Sequence, residues 1–448
     1  MDRHIPFEAL HNFRDLGGYP AGDGHRVRPG RLFRSDSLGK LTPDTQDWTR
    51  FLSLGIRTVV DLRYPWEIET RGRIPAHPSF AYHNLSIEHR PYDQAALTPD
   101  IAPGPYLAER FMEVAEDGTK ELRTALELIS ESAESASPLV FHCASGKDRT
   151  GQLAALTLSL LGVPDLVIIE DFSLTELATQ ALLTDWKTRN NGRTPTWPGF
   201  ARAPESVMRL FLASLRARYG STEAYVTEAL NLNAESLSAT LRTHLLEPVP
   251  TTWPNLTYRK ATPTDAPALV RLRDTAALWQ LARGISQWQP GEKDETHFRT
   301  RMREGEVWLA HTGDHLSGAW ELWWDDPAAW GPRPPDAGYI HRLMTTPHTA
   351  PPGTGRKMLA QAESRIAATG RPYARLDCLT SNPRLRAYYE SAGYTVVGEQ
   401  RAKDGGSGSP YAVTLLEKPL ASSGALSPSR RRPASASPRP PRGRAAGR

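Results

Sequence analysis

Cys143 stands six residues before Arg149, with His142 ahead of it and Thr150 behind, in the run His142-Cys143-Ala144-Ser145-Gly146-Lys147-Asp148-Arg149-Thr150. A sulfur nucleophile and a guanidinium at the two ends of a short loop suit a phosphate. The guanidinium is a planar fork that grips two oxygens together, which an ammonium does not do. Backbone amides of residues 144–149 can curl around the same anion, and a helix starting near Arg149 adds its positive end. That field favours a thiolate, the form of cysteine that attacks phosphorus. Charge developing on the transferring phosphoryl group would meet the loop amides and Arg149. Asp148 is a candidate proton donor to the leaving oxygen. Thr150 offers a hydroxyl to the sulfur, and His142 a brace for the loop backbone. A second, weaker constellation lies downstream, where His341-Arg342-Leu343-Met344-Thr345 is followed by Gly353-Thr354-Gly355-Arg356. A strand, a glycine loop and a helix there form another anion cradle.

These residues need elements to hold them. Short β-branched and apolar runs predict strands at 56–62 and 138–142, and the apolar run from Gly151 to Leu161 predicts a helix directly behind the cysteine loop. Helical spacing predicts further helices at 119–134, 163–183, 204–218, 222–231 and 234–246. Three prolines between 248 and 254 resist both helix and central strand, which makes 248–255 a linker. A new pattern then begins. Strand 256–260 and helix 263–280 lead into a loop rich in Trp and Gly. Strands near 306–311 and 316–324 precede a Pro-rich connection at 327–335. Strand 338–345, helix 355–368, strand 373–379, helix 383–392 and a strand near 411–417 complete a mixed α/β unit. The expected organisation is therefore an α/β domain over 1–247 with a central sheet flanked by helices, the linker, a second α/β domain over 256–419, and a tail over 420–448. Trp320, Trp323 and Trp324, with the stretch Trp279 to Pro290, suit either core packing or an aromatic-walled acceptor pocket.

Composition bounds the partners. The chain has 448 residues, a net charge of +4 and two cysteines, Cys143 and Cys378. Seven arginines and no acid follow Pro419, so the remainder carries −3 and gives no reason to expect a nucleic-acid partner for the folded part. Two distant cysteines make no disulfide framework and suit a reducing compartment. No apolar leader opens the sequence and no run approaches the length of a membrane span, which points to a cytoplasmic protein. The Ser/Pro/Arg composition beyond residue 420 has no apolar face and predicts a disordered basic tail. The histidines lack ligand-like spacing, so no metal is expected.

The run HCASGKDRTG resembles the signature loop of protein tyrosine phosphatases, in particular the bacterial branch reading HCxxGKDRTG. NFRDLGGY at 12–19, RLFRSDSL at 31–38, VVDLRYPWE at 59–67 and YGSTEAYVTEALNLNAESLSATLR at 219–242 extend the resemblance over about residues 5–247. It implies a phosphocysteine intermediate at Cys143 and a phosphate held by Arg149. Residues 144–148 would line the loop, and the substrate would be a phosphorylated protein or a phosphoinositide. It implies that Asp148 is the general acid, with Asp61 as the alternative, and that Lys147 adds charge at the mouth for lipid headgroups. Asp36 stands where relatives commonly have Gly.

The second unit, with Asn382-Pro383 and Ala387-Tyr388-Tyr389-Glu390-Ser391-Ala392-Gly393-Tyr394, resembles GNAT N-acetyltransferases over about 256–418. That resemblance implies acetyl-CoA as cofactor and an unnamed amine acceptor. The pantetheine arm would lie along Leu343 and Thr345, and the pyrophosphate on Gly353, Thr354, Gly355 and Arg356. Asn382 would contact the cofactor and Tyr389 would protonate the departing thiolate. Ala350-Pro351-Pro352 departs from the family's basic loop and removes two amide donors. The alternative reading makes the acetyltransferase the main activity and the first domain a phosphate-binding regulator.

Overall fold

The computed structural model describes residues 3–403 and 410–420. In chain order the first domain runs β1 (Arg14–Asp15), β2 (Pro20–Ala21), β3 (His25–Val27), β4 (Leu32–Ser35), α1 (Gln46–Ser53), β5 (Thr58–Asp61), α2 (Pro65–Arg71), β6 (Ala81–Asn84), α3 (Pro103–Asp117), α4 (Thr119–Glu134) and β7 (Leu139–His142). It continues through α5 (Asp148–Leu160), α6 (Asp165–Ser173), α7 (Thr179–Arg189), α8 (Glu205–Tyr219), α9 (Thr222–Glu228), α10 (Ala234–Leu245) and β8 (Leu246–Pro248). The main sheet has the order β1-β4-β7-β5-β6. β7 lies at its centre, parallel to both neighbours, with His142 in register with Ser35 on one side and Asp61 on the other. Leu139, Val140 and Phe141 are wholly buried, as a strand covered on both faces requires. The carboxyl end of such a strand opens onto the crevice where α/β proteins bind ligands, and Cys143 is the next residue.

Pro248 was expected in the linker. It instead ends β8, which pairs with β3 on the edge of a small sheet ordered β2-β3-β8. An edge strand tolerates a residue without an amide hydrogen, so the prolines exclude a central strand only.

The second domain comprises β9 (Leu256–Lys260), α11 (Ala266–Ala282), α12 (Glu295–Glu304), β10 (Glu306–Thr312), β11 (His315–Trp323), α13 (Pro327–Trp330), β12 (Ala337–Thr345), α14 (Thr354–Ala367), β13 (Tyr373–Leu379), α15 (Pro383–Glu390), β14 (Thr395–Lys403) and β15 (Tyr411–Pro419). Its sheet has the order β14-β15-β13-β12-β11-β10-β9. β12 and β13 pair only from Ala337↔Tyr373 to Ile340↔Leu376. β12 stays with β11 as far as Thr345, and β13 stays with β15 as far as Leu379. The two central strands therefore part beyond Ile340 and leave a wedge between them. Trp320 is fully buried and stacks on Trp308 as part of this core.

The domains pack against each other through α6 and α11. Glu170, nearly buried, holds Arg283 and accepts from His348 at 2.6 Å, both from the second domain. No helix among the described residues is long and apolar enough to cross a membrane. The expected basic tail lies, from residue 421, outside the described residues.

Candidate functional site

The loop from Cys143 to Arg149 is built from outside. Its carbonyl groups face outward, each onto a partner in the surrounding frame. Cys143 O meets His142 Nδ1 at 3.3 Å and Ala144 O accepts from the amide of Ser37 at 3.2 Å. Ser145 O accepts from Asn12 Nδ2 at 2.9 Å, and Gly146 O from Asn12 Nδ2 at 3.2 Å and Arg34 Nη2 at 2.7 Å. Lys147 O begins the α5 ladder with the amide of Gly151 at 2.8 Å. Among the described residues no protein group takes the amides of residues 144–147, which leaves them available to an anion. Consecutive inward amides at a helix N-terminus form an anion nest. Gly146 makes the turn possible, with φ at +65° and no room for a Cβ, which would stand 2.5 Å from Ser35 O.

The frame is itself braced. Asp171 on α6 is buried and binds Arg14, Arg34 and the hydroxyl of Tyr19, and these cations hold its carboxyl down to about 2 against the opposing effect of burial. Burial pulls Arg34 down to about 10. Asp36 sits fully buried and accepts from the amides of His11 and Asn12 and from Lys40. It thereby ties the segment carrying Asn12 to the segment carrying Arg34.

Cys143 is 2 % exposed at the floor of the loop. Arg149 reaches Glu67 with Nη1 at 2.5 Å and Nη2 at 3.2 Å, lies 3.6 Å by Nε from Glu88, and packs over the ring of Tyr64. Burial works against its charge, but the Cys143 sulfur and the two glutamates prevail and hold the guanidinium well above its usual range. Glu67 also accepts from the amide of Tyr64, so the first turn of α2 aims it. Burial pushes Glu88 up to about 7, with Arg149 opposing and Asp148 and Glu67 adding to the rise. Sequence reasoning missed Glu67 as the arginine's holder and Glu88 altogether. The run VVDLRYPWE contains the first. Nothing in the local pattern of Ser86-Ile87-Glu88-His89 marks the second, which only the fold brings to Arg149.

The remaining residues of the first site divide. Asp148 lies at the loop, its Oδ2 accepting from Gln94 at 3.1 Å and its buried Oδ1 making no hydrogen bond, with Lys147 Nζ 3.5 Å away. Lys147 is not at an open mouth. It is 1 % exposed and its ammonium binds Gln94 Oε1 at 3.2 Å, because the 92–96 segment folds over it. Thr150 Oγ1 is buried without a hydrogen-bond partner, so the expected bond to the sulfur is not formed. Asp61 does not reach the loop cavity. It is fully buried, paired with Arg63 at 2.7 Å, bonded by Tyr82, and 3.5 Å from His142 Nε2. His142 and Arg63 outweigh burial and hold its carboxyl down to about 2, a state unsuited to donating a proton. His142 is fully buried, and burial lowers its basicity while Asp61 opposes that fall.

In the second domain Leu343 and Thr345 lie on the part of β12 that has left β13, at the wedge. Gly353, at φ +78°, caps α14, and the amide and hydroxyl of Thr354 both turn back to Pro351 O. Arg356 lies over the ring of Tyr388 and donates to Tyr388 O and Ser391 Oγ, while its Nη1 is buried without a hydrogen-bond partner. Asn382 Oδ1 caps α15 through the amide of Leu385 at 3.0 Å. Tyr389 is 8 % exposed, in the core beside Tyr394, and burial raises its phenol. Its neighbour Tyr388 stands at the glycine loop, its hydroxyl 2.9 Å from where a Cβ on Gly355 would lie. Helical geometry turns adjacent residues through about 100°, so only one of the pair can face the loop. Asp326, His341 and Asp377 gather ligand atoms within 4.8 Å of one another. Lys403 Nζ, 2.7 Å from Asp377 and 3.9 Å from Asp326, already supplies a cation there.

A largely parallel sheet whose central strand runs into a cysteine loop with a buried arginine behind it defines the class of this α/β domain. The family model described as "Tyrosine phosphatase family" matches residues 5–247, and the chain belongs to that family. A Cupriavidus necator protein named "Putative tyrosine-protein phosphatase" is 30% identical over 54% of this chain and 89% of its own length. The triple specificity protein phosphatase PtpB of Mycobacterium tuberculosis is 32% identical over 36% of this chain and 65% of its own. The model described as "Acetyltransferase (GNAT) domain" matches residues 283–415. The uncharacterized N-acetyltransferase YesJ of Bacillus subtilis is 28% identical over 30% of this chain and 78% of its own. The protein therefore joins a tyrosine-phosphatase-like domain to a GNAT-like domain.

Proposed function

We propose that the first domain hydrolyses phosphate monoesters through a phosphocysteine at Cys143, with phosphotyrosine as the favoured substrate. The observation that carries this reading is the outward turn of the loop carbonyls from 143 to 147, which leaves the amides for a phosphoryl group. The Cys143 sulfur attacks phosphorus while Arg149 and the amides take up the equatorial charge. The ester oxygen leaves with a proton from Asp148. Water then attacks the phosphocysteine, Asp148 takes the water's proton, and the sulfur departs as free phosphate forms. Two features favour an aromatic ester. Trp66, 51% exposed, stacks on Tyr64 at 5.6 Å, and Tyr64 packs on Arg149, so a flat wall rises from the phosphate site. Lys147, the candidate headgroup contact, is covered.

The second domain is proposed to bind acetyl-CoA and acylate an amine. Support comes from the wedge between β12 and β13, where Leu343 and Thr345 lie beyond the last residue of β12 that pairs with β13, and from the first turn of α14. Tyr388, rather than Tyr389, stands where it can give a proton to a thiolate at that loop. The decisive experiment measures p-nitrophenyl phosphate hydrolysis. Wild type turns over and Cys143→Ser shows none. Equal rates in both would sink the reading. A panel of phosphopeptides and phosphoinositides then separates substrates, with phosphotyrosine peptides expected to lead.

A further inference from the structure

The segment that folds over Lys147 carries a side chain that the proposed reaction leaves unused. Gln94 opens a single turn, Gln94–Ala96, and the preceding Asp93 caps it by accepting from the amide of Ala95 at 2.9 Å. Tyr92 anchors the turn. Its ring meets Tyr106 edge to face, and Tyr106 meets Trp197 in the same manner. Trp197 is buried and donates to Ile101 O at 2.8 Å. A packed aromatic column therefore presents the glutamine to the catalytic loop.

The carboxamide of Gln94 closes a ring of polar contacts. Its Oε1 accepts from Lys147 Nζ at 3.2 Å. Its Nε2 donates to Asp148 Oδ2 at 3.1 Å and to the Tyr92 hydroxyl oxygen at 3.1 Å. Lys147 Nζ in turn lies 3.5 Å from Asp148 Oδ1. An ammonium only donates and a carboxylate only accepts. Turning the amide over would aim its hydrogens at the ammonium and its oxygen at the carboxylate. Lys147 thus sets which way the amide faces, and that orientation gives Asp148 a donor.

We propose that Gln94 is a positioning residue for phosphate ester cleavage: oriented by Lys147, it holds Asp148 by Oδ2 and fixes the plane of the carboxyl that serves the leaving oxygen. The inference rests on the phosphatase reading of the Cys143 loop, with Asp148 as its acid. The last torsion of an aspartate is broad, while a proton donor must stay within hydrogen-bond reach of the atom it serves. Contacts at both carboxyl oxygens stop that rotation. Lys147, 1 % exposed, then acts through Gln94 and needs no open mouth. Neither residue exchanges a proton in this role, so the bonds made and broken stay at Cys143 and Asp148.

The test compares the full chain with Gln94→Met and Gln94→Glu on dinitrophenyl, p-nitrophenyl and phenyl phosphate, in order of rising leaving-group basicity. Methionine keeps the length and loses every polar contact. Glutamate keeps the acceptor for Lys147 and loses the donor to Asp148. Both are expected to slow phenyl phosphate about tenfold or more and dinitrophenyl phosphate about twofold or less, because a good leaving group needs little of the proton. The retained dinitrophenyl rate shows that the variants are folded. In an Asp148→Ala background the same changes are expected to add about twofold or less, the mark of a residue that acts through another. Unchanged rates across the series in either variant overturn the proposal. So does an equal loss on all three esters, or a full further loss on top of Asp148→Ala. Those results leave the phosphatase reading standing, since the wild type still turns over. A wild type that hydrolyses none of the esters sinks that reading, and this proposal with it.

Discussion

Glu88 and Asp148 ask different things of pH because they meet Arg149 and the substrate differently. Glu88 lies on the Nε edge of Arg149 and is pushed up to about 7 by burial. Below that pH the carboxyl is neutral and leaves the guanidinium edge to a phosphate. Above it the carboxylate competes. We expect the KM for a phosphate ester to rise about tenfold per pH unit above 7 in wild type, as a single ionisation dictates, and to stay level in Glu88→Gln. A wild-type KM that is flat from pH 7 to 8.5 rejects the role. Stability carries the matching sign. A carboxyl whose folded value lies above its unfolded one supports the fold at low pH, and that support is lost as pH rises through 7. Glu88→Gln is therefore expected to stabilise by about 2 kcal/mol at pH 8 and little at pH 4, read by urea unfolding. Asp148 is a proton donor to a leaving group, so Asp148→Asn should slow aryl esters with good leaving groups least and alkyl esters most. An equal loss across the series would move the proton elsewhere, though not to Asp61, which Arg63 and His142 keep ionised.

At the scale of elements, the loop is a product of its frame, and Gly146 is where the two meet. A side chain there must accept φ +65° and displace Ser35 O. Gly146→Ala is expected to cost about 1–3 kcal/mol of stability and most of the turnover, since tilting one peptide removes an inward amide. Full activity in that variant would show the nest is not needed. The chemistry of this element was legible because strand, loop and helix are contiguous from Pro138 to Leu161, so each residue's place follows from its neighbours. What escaped were partners supplied from a distance. Glu88 reaches Arg149 across the sheet, Gln94 covers Lys147, and Asp171 braces Arg14 and Arg34. In the second domain the alternation of β12 and β13 predicts two strands, but the point where they part depends on pairing that no single strand encodes. Which of Tyr388 and Tyr389 turns toward the glycine loop is a matter of helical phase, because two adjacent tyrosines look alike until α15 packs. β14 and α12 went unread because charged residues blur the period of both segments, Thr395–Lys403 and Glu295–Glu304.

At the scale of the whole molecule, one buried carboxylate links the two domains beside the catalytic frame. Glu170 rises from α6, whose next residue, Asp171, braces the catalytic frame, and it takes both Arg283 and His348 of the second domain. The interface and the frame thus share one turn of helix, so a change in docking reaches Arg14 and Arg34 through a single backbone. Glu170→Ala leaves Arg283 without its buried partner, and breaking such a pair costs about 3 kcal/mol. We expect calorimetry to resolve two unfolding transitions in the variant where wild type shows one, with the second domain melting first because its side of the interface loses two contacts. We also expect phosphatase turnover to fall severalfold while Cys143 stays reactive to iodoacetate, since the loop remains but its brace loosens. A single unshifted transition with wild-type turnover would mean that Glu170 does not couple the domains and that its ion pair does not reach the catalytic loop.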